Sequence, residues 1–343
     1  MAKVKTKSSL VLGRVVQAIP TLIGVIVVAF LLTRALPGDP AVYFAGPAAT
    51  AESIEQVRVA LGLDKSMPEQ FLIYCRDLMT GNLGESISTG QPVLSDVMSR
   101  LPASLELTLT ALLLSIGVAL PLGILAATQP GTWIDHLCRL IVTAGVSLPV
   151  FFTGLLLVYV LYYLLGIAPS PLGRLDFIYL SPPQVTGFYV FDALIAGDAE
   201  TALAALRQLV LPAMTLGLFT LAPIARMTRA AMLQALGSEF IRTARAAGLG
   251  WTKVLFAYAL RNALLPIVTT LGMVFSFMLG ANVLVEKVFA WPGIGSYAVE
   301  ALVVSDYAAV QGFVLTMAIL FVTINLLIDL AYTAIDPRVG FDG

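Results

Sequence analysis

The sequence predicts an all-α polytopic membrane protein with six transmembrane helices, and three observations carry that expectation. Of its 343 residues, 58% are hydrophobic and only 12% are charged, where soluble domains carry about 25% charged residues. Apolar runs of roughly 18 residues or more, long enough to cross a bilayer as helix, recur along the chain. Those runs lack the strict alternation of a membrane β-barrel.

Taken in order, the first run is Val15–Thr33, preceded by Lys3, Lys5, Lys7 and Arg14. It outlasts a signal-peptide core of about 7–15 residues and ends in Pro37-Gly38-Asp39-Pro40, so it reads as an uncleaved first helix. The stretch from Pro37 to Ala103 is longer than an ordinary connection. Ala51–Leu63 and Pro68–Leu78 have helical spacing, the second with proline in its first turn. A glycine turn, Gly81-Asn82-Leu83-Gly84, follows, and Pro92–Arg100 resumes as an amphipathic piece, so a small helical outer segment is expected.

The second span is Leu105–Ala127, containing Pro121 and Gly123; a short polar connection, Gln129–Arg139, leads to the third, Leu140–Ile167. Pro182-Pro183 marks a turn-rich outer loop, and Phe191–Leu206 reads as a surface helix. The fourth, fifth and sixth spans are Leu209–Met227, Ala263–Val285 and Ala308–Leu330. Prolines and glycines inside these runs suit membrane bundles, where they permit kinks and close packing. The chain thus divides into residues 1–103 (first helix and outer segment), 104–335 (a five-helix core) and a tail, 336–343.

Alternation with the amino terminus inside puts the polar loop at about residues 231–262 and the carboxyl tail inside as well. That orientation gathers about 12 Lys and Arg against about 5 Asp and Glu inside, and about 8 against about 16 outside, as the positive-inside rule requires. The near-zero net charge of −1 conceals this sidedness. Cys75 and Cys138 then fall on opposite faces and cannot pair within one chain.

The chemistry of an enzyme is missing. His136 is the only histidine, beside Asp135 on an inside loop; one histidine excludes a His-rich metal site and the HExxH arrangement. No Gly-Lys dipeptide occurs, so there is no phosphate-binding loop. Glu286 and Lys287 lie at the outer end of the fifth span, with Trp291 suited to the interface. Glu286 reads as an interfacial acid at a helix end or, alternatively, as a catalytic group. Asn325 and Asp329 lie near the inner end of the last span, at headgroup level or in a packing or gating role.

The longest polar interruption of the second half is Met232–Pro266. Ser238 is placed to cap a short helix, Glu239 sits in its first turn facing Arg242, and Gly248 stops it. A second helical pattern follows, with Trp251, Val254, Leu255 and Tyr258 on one face and Lys253 and Arg261 off it. Two short helices joined by Gly248-Leu249-Gly250 at a membrane surface are expected.

This stretch, Glu239-Phe240-Ile241-Arg242-Thr243-Ala244-Arg245-Ala246-Ala247-Gly248-Leu249 followed by Ala259–Pro266, resembles the coupling loop of permeases of ATP-binding-cassette (ABC) importers. The closest likeness is to the dipeptide/oligopeptide (nickel) family. Where the short general motif has Glu-Ala-Ala, the chain has Arg242-Thr243-Ala244, as the peptide-permease version does. Pro37–Pro40, Gly81–Gly84, Leu209–Gly217 and Trp291-Pro292-Gly293-Ile294-Gly295 also resemble that family.

The resemblance implies a type I importer permease fold in a bacterial inner membrane, both termini cytoplasmic. It implies that Glu239, Phe240, Arg242, Thr243, Ala244, Arg245, Ala247, Gly248 and Leu249 form a platform for a separate ATPase. The implied partners are a second, similar permease, two ATPase subunits that hold ATP and Mg, and a periplasmic solute-binding protein, with no nucleic acid. Small residues such as Ala244, Ala247 and Gly248 would admit close approach, and Arg242 and Arg245 would meet acids on the partner. Solutes of the family include peptides, nickel complexes, glutathione and some opines. The competing class is an ion-coupled secondary transporter, which usually buries an acid or a broken helix at mid-membrane, often in two matching halves; no acid lies well inside any of the six expected spans and no repeat is evident.

Overall fold

The computed structural model describes residues 7–35, 39–46 and 48–335. Lys3, Lys5, Pro37, Gly38 and the tail with Asp336-Pro337-Arg338 lie outside these. The described chain is mostly helical, without β-strands; one isolated bridge joins Glu85 and Pro92. The elements are α1 (Lys7–Ala35), α2 (Pro40–Ala45), α3 (Ala51–Ala60), α4 (Met67–Met79), α5 (Val93–Thr128), α6 (Trp133–Ala144) and α7 (Val150–Leu164). There follow α8 (Tyr189–Ile195), α9 (Ala199–Leu236), α10 (Glu239–Ala246), α11 (Trp251–Val288), α12 (Ile294–Val303) and α13 (Tyr307–Ile335).

Among the described residues, α5, α9, α11 and α13 are long and apolar enough to cross a membrane. The expected Val15–Thr33 run lies within α1. The third expected span, Leu140–Ile167, is not one helix. Its first part belongs to α6; the chain then turns at Gly145–Pro149, and α7 resumes with a widened, π-type stretch at Val158–Leu164. Pro149, with its fixed φ and no N–H to donate, stands at the residue preceding α7.

Two other boundaries also differ from expectation. Pro92–Arg100 is not a separate piece, because α5 runs unbroken through Pro102 and Pro121. Phe191–Leu206 is not one surface helix: Gly197 adopts φ +76°, and Asp198 accepts from Thr201 N at 2.9 Å, starting α9 there. From Ala199 the helix continues through Pro212 and Pro223. Prolines of this kind are tolerated where neighbouring helices and side chains re-satisfy the freed carbonyls.

The core forms where α5, α9 and α11 meet, around Leu107, Ala111, Leu216, Ile224, Met278 and Val285. Small residues set its spacing. A Cβ on Gly123 would lie 2.6 Å from Thr228 Cβ, and one on Gly217 would lie 3.1 Å from Ala111 O. Backbone approach of this kind is how helices associate in a membrane, where apolar burial against lipid tails gives no drive. The outer helices dock on α1: Phe30 meets Phe71 edge-on at 5.2 Å and stacks on Tyr74 at 5.9 Å, while Arg34 Nε donates to Gln70 at 3.2 Å.

At the end of the bundle away from α10, the chain ties itself together with buried polar groups. Glu106 and Arg174 form an ion pair at 2.5 Å, both nearly buried, and Val190 N donates to the second Glu106 oxygen at 3.1 Å. Glu286 is fully buried rather than interfacial. It accepts from Ser104 Oγ at 2.5 Å, Asn282 Nδ2 at 3.0 Å and Ser296 N at 2.7 Å. Trp291 is not an interface residue either: only 1% exposed, it donates its indole N–H to Ala103 O at 2.9 Å. Cys75 and Cys138 are both free thiols.

Candidate functional site

The site is built on the connection between the two central helices, α9 and α11. Helix α9 stops at Gly237, and α10 starts after Ser238, whose backbone is extended (φ −78°, ψ 155°). Ser238 does not cap α10 with its side chain as expected. Its hydroxyl donates back to Ala235 O at 2.5 Å, a carbonyl at the end of α9 that also accepts from Ser238 N at 3.1 Å. Glu239 and Arg242 face each other as expected, at 3.0 Å, both largely exposed.

The far end of α10 closes as the sequence predicts. Gly248 takes φ +77°, Gly248 N donates to Arg245 O at 3.0 Å and Leu249 N to Ala244 O at 3.2 Å. This double bond pattern with a left-handed glycine is a Schellman cap, and the half-buried Leu249 supplies its usual apolar contact. The segment after it is not a second short helix. Trp251 begins α11, which passes through a π-type stretch at Val254–Leu260 and runs on to Val288, since no breaker interrupts it before the tolerated Pro266.

Helix α10 is held by its own small core. Ile241 and Ala244 pack with Met232 and Ala235 of α9 and with Val254, Leu255 and Ala259 of α11. Of the residues singled out from the sequence, Glu239, Phe240, Arg242, Thr243, Arg245, Ala247 and Gly248 are exposed, while Ala244 is buried. The small size of Ala244 therefore serves the inward face of α10, not approach by a partner. Ile241, missed in the sequence reading, was signalled by its spacing of three from Ala244. Arg245 lies over the Trp251 ring at 4.8 Å, fastening α10 to the start of α11.

A second fastening braces the same end of the bundle. Asp135, 1% exposed, receives two bonds from Arg229 of α9 (2.8 and 2.7 Å) and one from Gly131 N at 3.0 Å, and Arg139 stands at 3.4 Å. The Arg229 hydrogen bonds, opposed by burial, hold the Asp135 carboxyl down at about 2. His136 is exposed, and its Nδ1 meets Arg139 at 2.7 Å. The sequence placed Asp135 beside a histidine but gave no sign of Arg229, 94 residues away.

Residues 119–341 match the family model of the binding-protein-dependent transport system inner membrane component, and residues 8–108 match that of its N-terminal part. The chain belongs to this permease family. Among curated relatives, the permease is 46% identical to the probable D,D-dipeptide transport system permease of Escherichia coli K12, over 93% of this chain and 94% of the relative. It is 40% identical to the di/tripeptide transport system permease of Pseudomonas aeruginosa UCBPP-PA14, over 96% and 98%. It is 38% identical to the dipeptide transport system permease of Alkalihalophilus pseudofirmus, again over 96% and 98%.

Proposed function

We propose that this permease is the membrane subunit of an ABC importer for di- or oligopeptides, moved by ATPase subunits that dock on α10. The observation that carries the proposal is the construction of α10. It lies between the two central helices on a core of its own, and it presents Phe240, Arg242, Thr243, Arg245 and Ala247 outward. A short helix joined rigidly to α9 and α11 converts closure of subunits beneath the membrane into tilting of the bundle. The partners are a second, similar permease in a heterodimer, two ATPases carrying ATP and Mg, and a periplasmic solute-binding protein.

In this reading the chain crosses the bacterial inner membrane six times, α1 and α7 adding to the four long helices, with both termini cytoplasmic. Residues 1–103 make the first helix and the periplasmic helical segment, 104–335 the five-helix core, and 336–343 a cytoplasmic tail. The peptide class rests on the relatives, whose names specify dipeptides or di/tripeptides.

The test is co-purification and uptake. Tagged chain drawn from native membranes is expected to bring ATPases with phosphate loops, and dipeptide uptake is expected to survive a protonophore while ATP is maintained. Solute accumulation by the chain alone in liposomes, driven by a proton or sodium gradient, would overturn the assignment.

A further inference from the structure

Several charged side chains of the bundle are consumed by neighbours. Arg174 is paired with Glu106, Arg229 with Asp135, and Glu286 is satisfied by Ser104, Asn282 and Ser296. Arg226, one helical turn from Arg229 on α9, differs. It is exposed, and among the described residues no carboxylate pairs with it.

Arg226 opens into a cavity of about 400 Å³ between α9 and α11, whose walls include Phe219, Thr220, Thr270, Met273 and Phe277. The two threonine hydroxyls donate to their own helices, Thr220 to Gly217 O at 3.0 Å and Thr270 to Pro266 O at 2.9 Å. The guanidinium is therefore the uncommitted donor of this wall. Met273 and Phe277, 54% and 71% exposed, also line an adjoining cavity of about 740 Å³ toward α13, with Ser276 and Asn325. One cleft thus follows the open face of α11.

A guanidinium on a spanning helix faces water or protein in preference to hydrocarbon, because moving its charge into lipid costs several kcal/mol. We propose that this cleft is the chain's wall of a water-filled solute path, and that Arg226 receives the carboxylate of the solute passing along it. Aromatic and thioether surfaces take the apolar side chains of varied solutes, and a fork of N–H donors takes the one anionic group common to them. The inference rests on the importer reading. It deepens that reading by naming the wall and a specificity-determining residue.

The experiment uses the whole complex in liposomes, with Cys75 and Cys138 replaced by serine. Met273→Cys reports on the cleft, and Leu113→Cys, on a 68% exposed outward position of α5, serves as the lipid-facing control. Each is labelled with a sulfonate and a trimethylammonium methanethiosulfonate, neither of which enters hydrocarbon. Met273→Cys is expected to react at least tenfold faster than Leu113→Cys. Adding Arg226→Gln is expected to lower its anionic-to-cationic rate ratio about tenfold, and Arg226→Lys to restore it.

In the same liposomes, Arg226→Gln is expected to lower uptake of radiolabelled Ala-Ala per ATP hydrolysed about tenfold. Labelling of Met273→Cys no faster than the control overturns the inference, for the cleft then faces lipid or is sealed by the second permease. An unchanged rate ratio overturns the role of Arg226; so does unchanged uptake per ATP in Arg226→Gln, or a deficit confined to liposomes with anionic headgroups. ATP hydrolysis stimulated by the binding protein in the parent complex tests the importer reading separately.

Discussion

The two ends of the bundle handle polar groups in opposite ways. Away from α10, carboxylates and their donors are turned inward, as in Glu106 with Arg174 and Glu286 with Ser104, Asn282 and Ser296. At the α10 end, only the brace is internal, Asp135 with Arg229, and the remaining charges of the platform point outward. One end is arranged to keep its own shape. The other combines a rigid seat with a surface that no other described residue covers, which is what the proposed docking of a force-bearing partner requires.

The sharpest way to break this contrast is at the closed end. Arg174→Met should leave Glu106 buried without its partner, a defect that typically costs about 3–5 kcal/mol. A large fall in the thermal midpoint of the detergent-purified protein is expected, with much of it recovered when Glu106→Leu is added. A negligible fall would mean that this end is no more fixed than the other.

At the platform, the expected effects are smaller for stability and larger for coupling. At Gly248 the space beside the backbone is open, so the obstacle to a side chain is the +77° φ alone. That conformation costs an L-residue about 1–2 kcal/mol, and asparagine tolerates it best. Gly248→Val is expected to insert normally yet lose binding-protein-stimulated ATP hydrolysis by more than tenfold, with Gly248→Asn retaining most of it. Equal, normal hydrolysis by both would detach the cap from coupling.

The brace gives a pH signature. Asp135 is held at about 2 in the folded protein, below its ordinary value of 3.8. Its stabilising share is therefore present above about pH 4 and is lost as pH falls toward 2. The difference in thermal midpoint between wild type and Asp135→Asn should be constant near neutrality and shrink across that window. A difference that grows on acidification would reverse the sign. Smallest of all should be Glu239→Gln, since the exposed Glu239–Arg242 pair is worth less than about 0.5 kcal/mol.

Much of this was legible where local rules decide. The outer helices α3 and α4 begin behind Thr50 and Ser66, residues that cap them, and α10 ends on a glycine at the position a Schellman cap needs. What was illegible was nonlocal. Nothing near Glu286 in the sequence announces Ser104, and an acid at the end of an apolar run looks interfacial until its donors are seen. Helix boundaries failed for a related reason: the sequence ends separate pieces at Arg100 and Leu206, whereas α5 and α9 run on past them through Pro102 and Pro212, which the bundle accommodates. The real break, at Gly145–Pro149, lay inside an apolar run whose composition concealed it.

The most direct measurement places a photoreactive benzoylphenylalanine at position 240, on the open face of α10, in the assembled complex. Irradiation should join the permease to an ATPase subunit, whereas the same group at position 113 should join it to lipid. A cross-link from position 240 to lipid or to the second permease, with none to an ATPase, would contradict the account.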